Sequence, residues 1–359
     1  MRLSHISLGG LRVFAGADFF PGPGLSWLVG DNGAGKTSVL EALYALGHAR
    51  SFRCAHFDSA LRTGDHEAFV FTEWLSAGGE VSRIACAKQR GGGWRYRMDG
   101  VSVARALDLA ARAPMLCFEP GAHAIVTGPA ERRRRLLDWG LFHVERAPSG
   151  LWSEWLRALK QRNEALRRRD LGALDAYDAV VSQRGEQLTA ARSEFVAVWL
   201  SEATRTLAWL SPELADLEFG FRRGWGRAHA GLLEALRAQR DTDVQLGFTG
   251  SGPHRSDIVL RWQGADARER VSRGQSKVIA LALVLSLARL FSQRLGRWPL
   301  LLLDDLCSEL DQGHASRVLA VLREANAQVL ITGVSRPEWG RGPADALFHV
   351  ERGAITPLL

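Results

Sequence analysis

The segment Gly30-Asp31-Asn32-Gly33-Ala34-Gly35-Lys36-Thr37 constrains the fold of this chain more than any other. It fits G-x-x-x-x-G-K-[ST]. The apolar run Leu25-Ser26-Trp27-Leu28-Val29 precedes it, and Ser38 to Leu46 follows with helical character. Strand, glycine loop and helix in that order let backbone N–H groups wrap an anion while the helix start adds favourable dipole potential. The pattern predicts a phosphate-binding loop spanning Gly30 to Ser38. Lys36 is expected to reach the β- and γ-phosphates of a nucleotide, and Thr37 to offer its hydroxyl to Mg²⁺. A glycine turn joining a strand to a helix is the plainer reading of the same residues.

A second strand of this kind, Leu300-Leu301-Leu302-Leu303, ends in Asp304-Asp305. Beside a phosphate loop, a carboxylate at such a strand end holds the metal, so Asp304 is expected to do so. Asp305 is then placed to orient or deprotonate water and, with Lys36, forms the expected catalytic pair. Asp is also a common helix cap, which is the competing reading.

The rest of the chain sets the frame. It has 359 residues, enough for about two domains. The formal charge of +7 suits an anionic partner. Cys54, Cys86, Cys117 and Cys307 show no CxxC or CxH spacing, so neither a zinc site nor a disulfide framework is expected. The start, MRLSHISLGGLRVF, lacks the apolar run of a signal peptide. The apolar stretch Val278–Ala288 is shorter than the ~20 residues of a membrane span. A soluble, cytoplasmic protein without a membrane partner is expected.

Short alternating runs broken by glycine in the first third predict an antiparallel sheet. From about Ala130 to Arg240 apolar residues recur at helical spacing, as in Trp152, Trp155, Leu156 and Leu159. The last third returns to strands and helices. A strand is expected over Asp257–Trp262, a buried helix over Ser276–Leu295 and parallel strands at Leu300–Leu303 and Gln328–Thr332. The fold class expected is α/β. Residues 1–125 and 246–359 form one ATPase domain, with a mainly helical domain, 126–245, inserted between them.

Val271-Ser272-Arg273-Gly274-Gln275 resembles the LSGGQ signature of ABC-type ATPases. The resemblance implies that Ser272, Arg273, Gly274 and Gln275 contact the γ-phosphate held by a second copy. Ser308-Glu309-Leu310-Asp311 is similar to the D-loop that crosses the same interface, with Ser308, Glu309 and Asp311 as its polar residues.

Further segments narrow the resemblance to the RecF family. They are Phe118-Glu119-Pro120, the block from Gly128-Pro129 through Arg132-Arg133 to Leu137-Asp138, Lys160-Gln161-Arg162-Asn163, Gly252-Pro253-His254-Arg255 and the S-R-G-Q form of the signature. In family order they span nearly the whole chain. The resemblance implies a P-loop ABC-type, SMC-like head without a long coiled coil. It implies ATP and Mg²⁺ as cofactors, an ATP-dependent homodimer, binding to double-stranded DNA and to single/double-strand junctions, and slow ATP hydrolysis. RecO and RecR are implied as partners, supporting the loading of RecA at single-strand gaps, with links to replication and the SOS response. The chain departs from the wider ABC pattern where Asp305 replaces a glutamate, where no switch histidine follows Thr332, and where no Q-loop glutamine stands near Glu119.

From Glu131 to Asp170 eleven Lys or Arg face six Asp or Glu. Arg132, Arg133, Arg134, Arg167 and Arg168 are the expected contacts to DNA phosphates, which would give sequence-independent, salt-sensitive binding. Solvated helix faces paired to nearby acids are the plainer reading. An alternative function, the nucleotide-binding subunit of an ABC transporter, shares the loop and the signature but lacks the G-P-H-R and K-Q-R-N segments.

Overall fold

The computed structural model describes residues 1–145, 149–342 and 345–358. The chain divides into two compact units, Met1–Ala122 with Phe291–Leu359, and His123–Leu290.

In chain order the strands are β1 (Arg2–Leu11), β2 (Phe14–Phe19), β3 (Leu25–Val29), β4 (Glu67–Leu75), β5 (Val81–Gln89), β6 (Trp94–Met98), β7 (Val101–Val103) and β8 (Met115–Phe118). The second unit carries β9 (Glu218–Arg222), β10 (Asp257–Trp262) and β11 (Ala265–Asp266). The chain returns with β12 (Leu300–Leu303), β13 (Val329–Gly333), β14 (Ala346–Glu351) and β15 (Ala354–Pro357).

The first unit holds two six-stranded sheets. One is antiparallel, in the order β2-β1-β4-β5-β6-β7. Its inner face buries Ile6, Leu8, Val70, Trp74, Ile84 and Cys86. The other runs β15-β14-β3-β13-β12-β8, parallel from β14 to β8. Every residue of β3, β12 and β13 is buried. Parallel strands covered on both faces read as continuous apolar runs, which is why these three were visible in the sequence. The Gln328 side chain links the sheets. Its carbonyl accepts from the Leu3 N–H, and its amide donates to the carbonyls of Leu3 and Gly22.

The second unit is mainly helical, with long helices at Ala130–His143, Ser149–Arg168 and Leu174–Leu210 and most of the helix Arg273–Leu295. Trp155 and Leu159 face its interior, while Trp152 and Leu156 are exposed. Strand β9 lies inside the stretch expected to be helical. It is short, and its partner β10 comes 35 residues later (Asp257↔Arg222), so local periodicity did not reveal it. That pairing also groups residues 246–290 with the helical unit, whereas the sequence reading assigned them to the ATPase domain. Helix Arg273–Leu295 is long and apolar enough to cross a membrane, but 72% of its most apolar stretch is buried within the fold.

Three fully buried arginines organise this unit. Arg133 forms a two-point pair with Asp257 at 2.7 and 3.0 Å and donates to the carbonyls of Ile125 and Gly128. Its assignment to DNA is therefore corrected: its guanidinium is spent on the interior, at 1% exposure. Arg192 bonds Asp138 at 2.6 Å and the Pro253 carbonyl at 2.7 Å. Arg162 bonds Asp178 at 2.6 Å, Asp243 at 2.7 Å and the Thr249 hydroxyl at 2.8 Å. Asn163 accepts from the Thr249 N–H, and His254 pairs with the Thr249 carbonyl. Burial drops the His254 pKa to about 4, so its ring is neutral at pH 7. Arg255 stacks over Phe248. The three segments around Arg133, Arg162 and His254 thus build one polar core.

Replacing Arg162 by Met leaves Asp178 and Asp243 buried without it. Breaking a buried pair in this way costs about 3–5 kcal/mol. In urea melts followed by circular dichroism, Arg162→Met should lose stability of this order, while Arg167→Met, at an exposed position, should shift the midpoint little.

Candidate nucleotide site

The site is built at the carboxyl ends of β3, β12 and β13. Gly30, Gly33 and Gly35 all have positive φ, at 151°, 85° and 115°. At Gly30 a side chain would also strike the carbonyl of Val350. Glycine is required here by both conformation and space. The loop feeds helix Lys36–His48, whose first turn carries no acidic residue and whose cap, Gly35, offers no side chain. No acidic side chain of the helix's own first turn faces its N-terminal dipole, and the carboxylate that approaches it is Asp304, from the end of β12. The Ser38 N–H donates to the Gly35 carbonyl and the Ala34 N–H to that of Asp31, so the loop closes on itself.

Lys36 folds back over this loop. Its ammonium donates to the carbonyls of Gly30 at 2.7 Å and Asp31 at 2.8 Å. Burial lowers its pKa, opposed by Asp305, Asp304 and Asp31.

The parallel register β3–β13–β12 sets Thr37, Asp304 and Thr332 together. Asp304 Oδ1 accepts from Thr37 Oγ1 at 2.9 Å and from Thr332 Oγ1 at 2.6 Å. Thr332 Oγ1 in turn accepts from the Asp305 N–H at 2.8 Å. Burial pushes the Asp304 pKa up, and the two threonine hydroxyls pull it down. The Thr332 hydroxyl is committed to linking the two aspartates, a role the sequence did not disclose.

Asp305 sits in the left-handed region at φ 53°, uncommon for a residue with a side chain. Its side chain does not cap the following helix. It accepts instead from the Ser308 hydroxyl at 3.1 Å. Ser308 thereby joins the D-loop segment to the acidic pair. Asp311 has a local task, as the N-cap of helix Gln312–Glu324, accepting from the His314 N–H at 3.0 Å. Glu309 closes the short helix Leu306–Glu309.

One part of the surroundings escaped the sequence reading. Glu41, fully buried on the loop's own helix, is held by Arg12 at 2.8 and 2.9 Å and by the Ser51 hydroxyl. Arg53 approaches Glu41 at 3.7 Å and also lowers the Asp304 pKa. A glutamate on the apolar face of a helix is the signal that could have found it.

The signature residues belong to the second unit. Ser272 and Gln275 form a reciprocal cap: the Ser272 N–H donates to Gln275 Oε1 at 2.8 Å, and the Gln275 N–H to Ser272 Oγ at 3.2 Å. This is the capping-box arrangement. Arg273 and Gly274 lie between the two and are exposed. Among the DNA candidates, Arg134 donates to the Ser256 carbonyl at 2.7 Å. Arg167 and Arg168 are exposed and share Glu164. Arg132 lies on helix Ala130–His143 and is half-buried.

A hydroxyl and a carboxylate are hard oxygen donors, as Mg²⁺ prefers. That ion is usually held by one or two protein groups plus phosphates rather than by a full protein cage. The pair Thr37 and Asp304 fits this pattern. Among the described residues no cluster of three His, Cys, Asp or Glu offers a cage.

Because burial raises the Asp304 pKa, the folded protein binds that proton more tightly than the unfolded chain. The stabilisation is present at low pH and lost as pH rises through the folded pKa, so at pH 7 the ionised group is a cost. Asp304→Asn keeps the oxygen that accepts from both threonines. Without nucleotide it should melt a few degrees above the parent at pH 7, and the gap should close as pH falls through the carboxyl range.

Comparison with known proteins identifies the family and the fold. The family described as RecF/RecN/SMC N terminal domain matches residues 2–352. The DNA replication and repair protein RecF of Xanthomonas euvesicatoria pv. vesicatoria is 42% identical over 366 residues, covering 99% of this chain and 98% of that one. The structure of the recombination mediator protein RecF with ATP superposes with a TM-score of 0.88 at 22% identity, over 100% of this chain and 98% of that one. The Smc head domain of Pyrococcus furiosus follows at a TM-score of 0.58 and 16% identity, over 99% of this chain and 96% of that one. A match along nearly the full length, with the phosphate loop, acidic pair and signature in family order, makes this chain a member of the RecF family with an SMC-like head fold.

Proposed function

We propose that this chain is an ATP-dependent DNA-binding protein of recombinational repair and replication. The observation that carries the reading is Asp304, held by Thr37 and Thr332 directly beneath the phosphate loop. The names of the relatives, DNA replication and repair protein and recombination mediator, supply the biological setting. The relatives named above are repair proteins and Smc heads, not transporter subunits.

The chemistry follows from the residues. Backbone N–H groups of Gly33, Gly35, Lys36 and Thr37 cradle the phosphates, and Lys36 exchanges its two carbonyl partners for phosphate oxygens. Thr37 and Asp304 would hold Mg²⁺, which would supply charge neutralisation at the phosphates. Asp305 orients the attacking water, its carboxylate kept in place by Ser308 and by its fixed backbone. A shorter acid than glutamate holds that water less closely, in line with slow turnover. The capping box of Ser272 and Gln275 presents the Arg273 and Gly274 N–H groups to the γ-phosphate on a second copy, so ATP joins two chains. The dimer binds duplex DNA at single-strand gaps. There it supports RecA loading with RecO and RecR, and hydrolysis resets it. Arg132, Arg167 and Arg168 remain candidates for phosphate contact, since exposed pairs such as those with Glu164 are weak and exchangeable.

Sedimentation velocity tests the trans arrangement. The parent should move from monomer to dimer with Mg-ATP. Ser272→Arg should bind ATP as the parent does yet dimerise at least tenfold less readily. Undiminished dimerisation of Ser272→Arg would remove the signature from the interface.

A further inference from the structure

The outer face of the antiparallel sheet is unusual. The solvent face of an antiparallel sheet commonly alternates to polar residues. Here the cross-strand register sets small and aromatic residues there. One row runs Gly16, Gly9, Phe69, Ala87 and Arg95, and the next runs Asp18, Ser7, Phe71, Ala85 and Arg97. Phe69 is 41% exposed. Its ring lies across Gly9, where an added Cβ would meet it at 2.6 Å. Gly9 does not have positive φ, so it leaves room for a flat ring rather than making a turn. Phe71 meets His5 edge-on at 5.9 Å, and His5 stacks on Phe20 at 4.6 Å. Phe20 is 68% exposed. His5 is oriented by Asp18 at 3.0 Å.

Arginines border this aromatic strip on β5 and β6, and the acids Asp18, Glu67 and Glu73 lie on the same face. Arg83 pairs with Glu73 at 3.0 Å, and Arg95 pairs with Glu67. Arg97, two strands from Phe71 in the same row, is exposed and has no ion pair among the described residues. Neighbouring strands lie about 4.8 Å apart, so a long Arg side chain two strands away reaches the region over the rings.

We propose that this face is a platform for single-stranded nucleic acid. Bases stack on Phe69, Phe71 and Phe20, and Arg97 neutralises the backbone. Aromatic rings on an open sheet beside basic residues are the means by which proteins hold unpaired strands without reading sequence. The small residues Gly9, Ser7, Ala85 and Ala87 leave room for the rings against the sheet, with Phe69 41% exposed and Phe71 half-buried. The proposal deepens the function argued above, naming where the unpaired strand of a junction is held, and it rests on that reading only for its choice of ligand.

The test uses the full chain and a fluorescent oligothymidine in low salt. The Phe69→Ala/Phe71→Ala variant should bind it at least about tenfold more weakly, the scale of losing stacking on one or two bases. Phe69→Tyr/Phe71→Tyr should restore binding, and 4-thiothymidine photocrosslinks should map to the strip. Arg97→Ala should lower the salt slope by about one. A parent that does not bind oligothymidine, an Ala variant with unchanged affinity, or a Tyr variant as weak as the Ala variant would overturn the proposal. Unchanged affinity would leave a protein-docking face as the use of these rings. Mg-ATP-dependent duplex binding, measured in parallel, should survive in both variants. Its absence in the parent would refute the duplex reading while the oligothymidine comparison still decides this one.

Discussion

One carboxylate oxygen, Asp304 Oδ1, joins three separate parts of the chain. It accepts from Thr37, 267 residues away, and from Thr332, 28 residues on. Nothing local brings these groups together. They meet because β3 pairs with β13 and β13 with β12, all parallel, so their carboxyl ends face one way. The glycine loop, the acidic pair and the strand that lacks a switch histidine therefore share one end of one sheet. Burying that carboxylate is unfavourable by itself, and two hydroxyl donors offset part of the cost. A buried carboxylate beside a phosphate-loop lysine, its pKa raised by burial, marks a candidate functional site.

Much of this was legible in the sequence because the site is made of short motifs with strict backbone demands. Gly30, Gly33 and Gly35 adopt conformations that glycine favours, and β3, β12 and β13 are apolar throughout because they are covered on both faces. What stayed hidden depends on tertiary register. The linking role of Thr332, the arginine clamp on Glu41 and the strand β9 all require partners far along the chain. The domain limits illustrate the same point. Helical periodicity fades after about Arg240, but β10 pairs back onto β9, so residues 246–290 pack with what precedes them.

The second unit separates two meanings of a shared motif. Basic residues in a run of arginines look like a nucleic-acid surface. In the fold Arg133, Arg162 and Arg192 are buried and matched to Asp257, Asp178, Asp243 and Asp138. Their guanidiniums fix the geometry of a helical frame rather than meet a ligand. Such a network is costly to break at one member. The signature has a similar double character. Ser272 is the N-cap of a buried helix, and its capping box with Gln275 orders the turn that carries Arg273 and Gly274.

Isothermal titration of the chain with ATP, in the presence and absence of Mg²⁺, tests the central claim most directly. If Thr37 and Asp304 form the metal end of a nucleotide site, Mg²⁺ should tighten ATP binding in the parent. Asp304→Asn should bind ATP with little response to Mg²⁺, and Lys36→Met should lose most affinity under both conditions. A parent indifferent to Mg²⁺, or an Asp304→Asn variant that responds to it as the parent does, would contradict this reading.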